Sequence, residues 1–215
     1  MYQTRSLRID LSKFELSSEN KRIFKKTSSL LLIPHSLPYS DYHWSIGKLG
    51  KDFYTTKFGD GTFSANKIKE LLTTKHNFDK LFKFILNPDT GVKDLSKPQD
   101  AEIQKSNVVK NIFSSKDSLV ARLPQDKPIG YAICKETNEI LHYSYPFYNL
   151  NGHKDLGLGM MIQAILWAKA NNKKYIYLGS AKDQAAKYKL QFSGLEWFDG
   201  ETWQTNLEEL KNVLK

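Results

Sequence analysis

The apolar positions of this chain change period several times, and each change marks an element. Across residues 2–10 apolar and polar residues alternate loosely, with Leu7, Ile9 and Leu11 in step, which predicts a strand. Ser17 or Ser18 then offers an N-cap, and Glu19 suits the dipole of a short helix that ends near Thr27 and turns Ile23 and Phe24 inward. The apolar run SLLLI at 29–33 predicts a strand stopped by Pro34 and Pro38. Residues 40–48 look helical, and the aromatic-rich stretch 53–63 carries the turn signal Gly59-Asp60-Gly61. Ser64 can cap a helix to about Thr74 with Ile68, Leu71 and Leu72 on one face. Phe78, Leu81, Phe82 and Ile85 stand at helical spacing, so a second helix is expected over 77–86.

Residues 87–104, rich in Pro, Asp, Lys, Ser and Gly, predict a loop or a disordered segment. Three strand-like runs follow at 119–123, 129–135 and 140–148, the last two joined by the turn Glu136-Thr137-Asn138-Glu139. Residues 158–171 form a helix apolar nearly all round, which must be buried on several sides. Residues 174–178 return as a strand, expected to lie parallel to the one before the helix. A short helix over 183–190, a hairpin over 195–203 with Asp199-Gly200 at its tip, and a closing helix over 206–214 complete the series. We expect segments 1–50 and 105–215 to form the core, the former with its basic helix, and 51–104 to be a helical insertion and loop.

Composition narrows the class. The longest apolar run, residues 160–168, is far shorter than the ~20 residues a membrane span needs, and the chain opens without an apolar signal segment, so a soluble, cytoplasmic protein with no membrane partner is expected. Cys134 is the only cysteine and the five histidines are scattered, so no metal site is expected. A formal charge of +9 favours a polyanionic partner, although an AT-rich genome also yields lysine-rich chains. On the first helix Lys21, Arg22, Lys25 and Lys26 make two adjoining basic ridges, either a nucleic-acid contact or an ordinary solvated face.

Several motifs then carry a resemblance. The tract YIYLG at 175–179, the K-Y-K of Lys187, Tyr188 and Lys189, a following phenylalanine and Trp203 resemble the signature region of the aminoacyl-tRNA-protein transferases, within the GNAT acyltransferase superfamily. HYSYPFY at 142–148 is similar to that family's tyrosine-bearing strand, and the basic segment 17–26 to its upstream Ser-x-x-x-Arg-Arg helix. The resemblance implies a mixed α/β (α+β), largely antiparallel twisted sheet flanked by helices, with splayed central strands. It implies transfer of Arg or Leu from charged tRNA to an amino group, a protein or peptide N-terminus, with no cofactor beyond the aminoacyl-tRNA co-substrate. Two departures stand out: the family's N-terminal cysteine cluster is absent, and Ser180 occupies a position usually aromatic, which bears on amino-acid specificity.

Such chemistry asks little covalent machinery of the protein. An aminoacyl-tRNA is already an activated ester, so the protein must hold its carbonyl beside an amine and stabilise the tetrahedral oxyanion. We expect the reacting groups between the strands flanking the apolar helix. Tyr143, Tyr145 and Tyr148 lie on a strand interrupted by Pro146, and Tyr177, Gly179 and Ser180 form the opposite wall, with Tyr145 and Ser180 the candidate catalytic groups. The tyrosines read equally as core residues with a wet hydroxyl. Tyr188 is placed to stack on the terminal adenosine while Lys187 and Lys189 meet its phosphates, the alternative being a solvated helix face.

Gly157 and Gly159, opening the apolar helix, present bared amides suited to an anion. In GNAT acetyltransferases that turn holds the pyrophosphate of coenzyme A, so an acetyl-CoA-dependent N-acetyltransferase is an alternative. A non-catalytic RNA-binding module on the same fold is a third reading.

Overall fold

A computed structural model describes residues 5–86, 128–152 and 154–214. The loop expected over 87–104 and the strand expected over 119–123 lie outside the described residues. In chain order the elements are β1 (Arg5–Asp10), α1 (Ser18–Lys26), β2 (Leu30–Ser36), α2 (Trp44–Phe58), α3 (Ala65–Thr73), β3 (Lys80–Leu86), β4 (Gly130–Glu136), β5 (Ile140–Tyr148) and α4 (Leu156–Ala170). They continue with β6 (Tyr175–Ala181), a 3-10 helix (Gln184–Gln191), β7 (Leu195–Phe198), β8 (Trp203–Gln204) and α5 (Leu207–Val213). The strands form one eight-stranded sheet in the order β2-β3-β4-β5-β6-β1-β7-β8. Among the described residues only β5 and β6 pair in parallel, as the helical crossover through α4 requires; every other pairing is antiparallel. This is the mixed, largely antiparallel sheet flanked by helices that the resemblance implies.

Two apolar clusters cover the two faces. The larger packs Ile23 of α1, Ile162 of α4 and Leu210 of α5 against one face of the sheet, including Ile9, Phe82, Cys134, Leu141 and Leu178. The smaller packs Ile46, Phe53 and Tyr54 of α2 and Ile68, Leu71 and Leu72 of α3 against Leu81, Tyr131, Ile133 and Phe147 of β3, β4 and β5. Helix α4 is apolar nearly all round because the sheet, α1 and β2 enclose it. Its one buried polar side chain, Gln163, donates from Nε2 to the Leu30 carbonyl at 2.7 Å.

Three elements differ from their expectation. Residues 80–86 are strand, not helix: Leu81, Phe82, Phe84 and Ile85 are all buried because β3 is covered on both faces, and a run buried on both faces loses the period-two signature. β2 continues through Pro34 to Ser36, since β2 is the edge strand among the described residues and a missing N–H can face outward there. α2 runs unbroken to Phe58, so the aromatics from Phe53 are helical core rather than a loop. The capping expectations hold: Ser17 accepts from the Asn20 N–H and Ser64 from the Lys67 N–H, both at 3.1 Å.

Candidate functional site

β5 and β6 pair only at Ile140–Tyr175, Leu141–Ile176 and His142–Tyr177. Beyond that point each strand stays paired to its outer neighbour, β5 with β4 as far as Tyr148 and β6 with β1 as far as Ala181, so the two diverge within an otherwise continuous sheet. Side chains bond to the backbone of both strands. The Pro146 carbonyl of β5 accepts from the Tyr54 hydroxyl at 3.2 Å. On the other bank, Lys189 Nζ reaches from the 3-10 helix and donates to the carbonyls of Leu178 at 2.8 Å and Ser180 at 3.0 Å. Gly179 between them has φ +75°, in the left-handed region, at the irregularity where β6 shifts register against β1.

The bulge at Ser144 decides which tyrosine faces where. Register slips between Cys134–Tyr143 and Ile133–Tyr145. Tyr143 therefore sits in the larger cluster, while Tyr145 faces the smaller one, its ring 5.4 Å from Phe63 and 5.2 Å from Phe78. Tyr177 lies on the same face as Tyr145, against His142 and Trp203. The structure thus gathers Tyr143, Tyr148, Gly157, Gly179, Ser180, Tyr188 and Lys189 around the gap, and sets Tyr145 and Tyr177 behind it.

Electrostatics distinguish the gathered groups. Tyr143 is 2% exposed and its hydroxyl has no hydrogen-bond partner among the described residues. Burial holds its ionisation well above the usual tyrosine range, with the Cys134, Tyr188 and Tyr148 groups acting in the same direction. The Tyr188 ring is half exposed but its hydroxyl end is enclosed, and burial pushes it up to about 12. Lys189, only 8% exposed, is brought down to about 8 by burial. It does not stand on the surface beside Lys187, which is exposed; the K-Y-K tract alternates out, half-out and in. Ser180 is exposed.

The paired glycines lie inside the first turn of α4 and serve close packing. A Cβ on Gly157 would stand 2.3 Å from the Tyr148 hydroxyl oxygen, and one on Gly159 would stand 2.7 Å from Thr27. Tyr148 therefore covers the start of α4, and the C-terminal end of α1 at Thr27 is drawn against the same turn. On α1, Arg22 is engaged by Glu19, with Nε to Oε2 at 2.7 Å, and Lys26 approaches Asp155 at 3.9 Å, while Lys21 and Lys25 are exposed without a carboxylate partner among the described residues. The basic ridge thus borders the α4 N-terminus.

One cluster has no local sequence signal. The Arg8 guanidinium lies 3.9 Å from the ring centroids of both Tyr175 and Trp203 and pairs with Glu196 at 2.8 Å through both Nε and Nη2. Its partners come from β6, β7 and β8, Glu196 being 188 residues away in sequence. Among the described residues no group of acidic, histidine or cysteine side chains is arranged to hold a metal, and no helix is long and apolar enough to cross a membrane.

No protein-family model matches the chain. Over 92 residues, 41% of the chain, it is 33% identical to the aspartate/glutamate leucyltransferases of Xanthomonas euvesicatoria pv. vesicatoria (strain 85-10) and Xanthomonas axonopodis pv. citri (strain 306). The match takes in 36% of those relatives, so the chain spans about a third of their length. Among solved structures it is similar to L-PGS from Bacillus licheniformis, with a TM-score of 0.54 and 8% identity over 100% of this chain and 66% of that one. The chain thus shares its fold with L-PGS and part of its sequence with leucyltransferases.

Proposed function

We propose that the protein transfers an aminoacyl group from charged tRNA to an amino group, with leucine or arginine going to a protein N-terminus. The observation that carries this reading is the gap between β5 and β6, whose strands are bound by Tyr54 at the Pro146 carbonyl and by Lys189 at the Leu178 and Ser180 carbonyls. Its opening is fringed by the half-exposed Tyr188 and the exposed Lys187, and lies near the basic helix α1. The partial likeness to aspartate/glutamate leucyltransferases supports the same donor class and points to acceptors whose first residue is acidic.

In this reading the free amine attacks the ester carbonyl, the tetrahedral oxyanion collapses to an amide, and the tRNA leaves through its ribose hydroxyl, which takes up a proton as the amine loses one. An α-amine with pKa ~8 is partly free base at neutral pH, so no strong base is needed. Lys189 has three N–H donors and two carbonyl partners, and its remaining donor serves the developing oxyanion. Tyr188 stacks on the terminal adenosine, Lys187, Lys21 and Lys25 meet phosphates, and Ser180 and Tyr143 line the aminoacyl end. Tyr145 and Tyr177 support the walls from the other face. Packing of Tyr148 over Gly157 and of Thr27 over Gly159 gives the glycines a role that needs no coenzyme A.

Incubating the protein with each radiolabelled aminoacyl-tRNA and with peptides of differing first residue tests the proposal. Label in peptide from leucyl- or arginyl-tRNA is the expected result. Label from acetyl-CoA alone, or RNA binding with neither transfer, contradicts it.

A further inference from the structure

The face of the molecule built from α2 and α3 carries a feature that the transfer reading does not use. Trp44, at the start of α2, is 65% exposed, whereas Trp167 and Trp197 are 3% and 1% exposed. A bare indole on a surface costs solvation that burial elsewhere would recover, and large exposed aromatics mark contact surfaces. Trp44 stands on one wall of an open groove of about 480 Å³, lined further by Tyr42, Lys48, Lys51, Asn66 and Lys69. The groove is built in place: Gly47 lies so close to the Tyr42 hydroxyl that a Cβ there would stand 2.5 Å from it.

Charge in the groove is one-sided. Its single carboxylate among the described residues, Asp52, is neutralised by Lys48 at 2.6 Å. Lys51 and Lys69 are exposed and have no carboxylate partner among the described residues. An exposed planar ring beside two uncommitted ammonium groups and an amide matches a nucleotide: a base to stack on, phosphates on either side, and a donor and acceptor for a base edge.

We propose that the α2–α3 groove binds single-stranded RNA, with one base stacked on Trp44 and backbone phosphates on Lys51 and Lys69. This surface is separate from the β5–β6 gap, and its assignment does not depend on the transfer reaction. An acidic peptide satisfies the lysines but leaves the indole without a planar partner, so RNA is the better fit.

Fluorescence anisotropy of an end-labelled single-stranded RNA oligonucleotide, measured over a range of salt, tests it. Trp44→Ala weakens binding about tenfold, as loss of one stacked base implies, and Trp44→Phe recovers part of that loss. Lys51→Ala combined with Lys69→Ala reduces the slope of log Kd on log salt by about 1.4, or ~0.7 for each phosphate left without its lysine. Unchanged Kd and slope in both variants overturns the proposal, as does a polyglutamate peptide that binds more tightly than RNA and loses its affinity in Trp44→Ala. Because the readout is binding of uncharged RNA, a chain that transfers no amino acid leaves these outcomes intact.

Discussion

In the proposed transfer Lys189 and Tyr143 stand nearest the reacting end, and each has a signature apart from activity. Lys189 titrates near 8 in the folded protein because burial disfavours its charge. In the unfolded chain it returns to the ordinary lysine value, so between the two the unfolded state binds more protons and stability rises with pH. Urea unfolding across that window shows the rise in the wild type, and Lys189→Met removes this residue's share of it. Tyr143 behaves differently. Its buried hydroxyl lacks a partner among the described residues, so Tyr143→Phe relieves a desolvation cost of ~1–3 kcal/mol and raises the stability of the fold. If Tyr143 lines the aminoacyl end, the same variant lowers transfer; a variant that is both more stable and fully active returns the residue to the core. Neither property is legible in the sequence. The K-Y-K tract announces two basic groups, but nothing local shows that the second turns inward to two backbone carbonyls.

At the scale of elements, Pro146 is the most informative residue. A proline in a strand that cannot be an edge signals lost pairing, and the structure places it where β6 has departed and Tyr54 takes its carbonyl. The paired glycines are legible as a special position but not as a packing site, because their neighbours Thr27 and Tyr148 come from other elements. Gly159→Ala would gain up to ~1 kcal/mol from helix propensity at a free helical site. Here the added Cβ meets Thr27, and we expect a net loss of ~1–3 kcal/mol, read as a lower urea midpoint at unchanged slope. The Arg8–Glu196 pair, with side chains 14% and 9% exposed, ties central β1 to β7 while the β8 residue Trp203 closes over it. Arg8→Ala leaves Glu196 with only the longer contact from Lys13 at 3.5 Å, so the cost falls below the ~3–5 kcal/mol of a buried charge left wholly unpaired. Removing both charges together costs less, which a double-mutant cycle measures.

For the whole molecule, much of the order of elements is legible in the sequence, β3 being the exception, and their arrangement is not. Hydrophobic period and caps locate α1, α3, α4, β4, β5 and the β7–β8 hairpin, whereas the insertion of β1 between β6 and β7 depends on pairings nearly the full length of the chain apart. The spacing within β3 misleads because burial on both faces erases its alternation. The net charge of +9 is spread over more than one surface, and α1 and the α2–α3 groove make separable contributions. Charge reversal at Lys21 and Lys25 weakens binding of charged tRNA and flattens its salt dependence without changing the melting temperature. An unchanged salt slope returns α1 to an ordinary solvated face.

The central claim is that the divergence of β5 and β6 receives the charged end of the tRNA. Hydrogen exchange with and without a non-hydrolysable leucyl-tRNA analogue tests it most directly. New protection is expected at the amide N–H groups within residues 143–148, Pro146 excepted, and 178–189, on the two banks of the gap and the 3-10 helix that supplies Lys189. Protection elsewhere, with those amides unchanged, contradicts it.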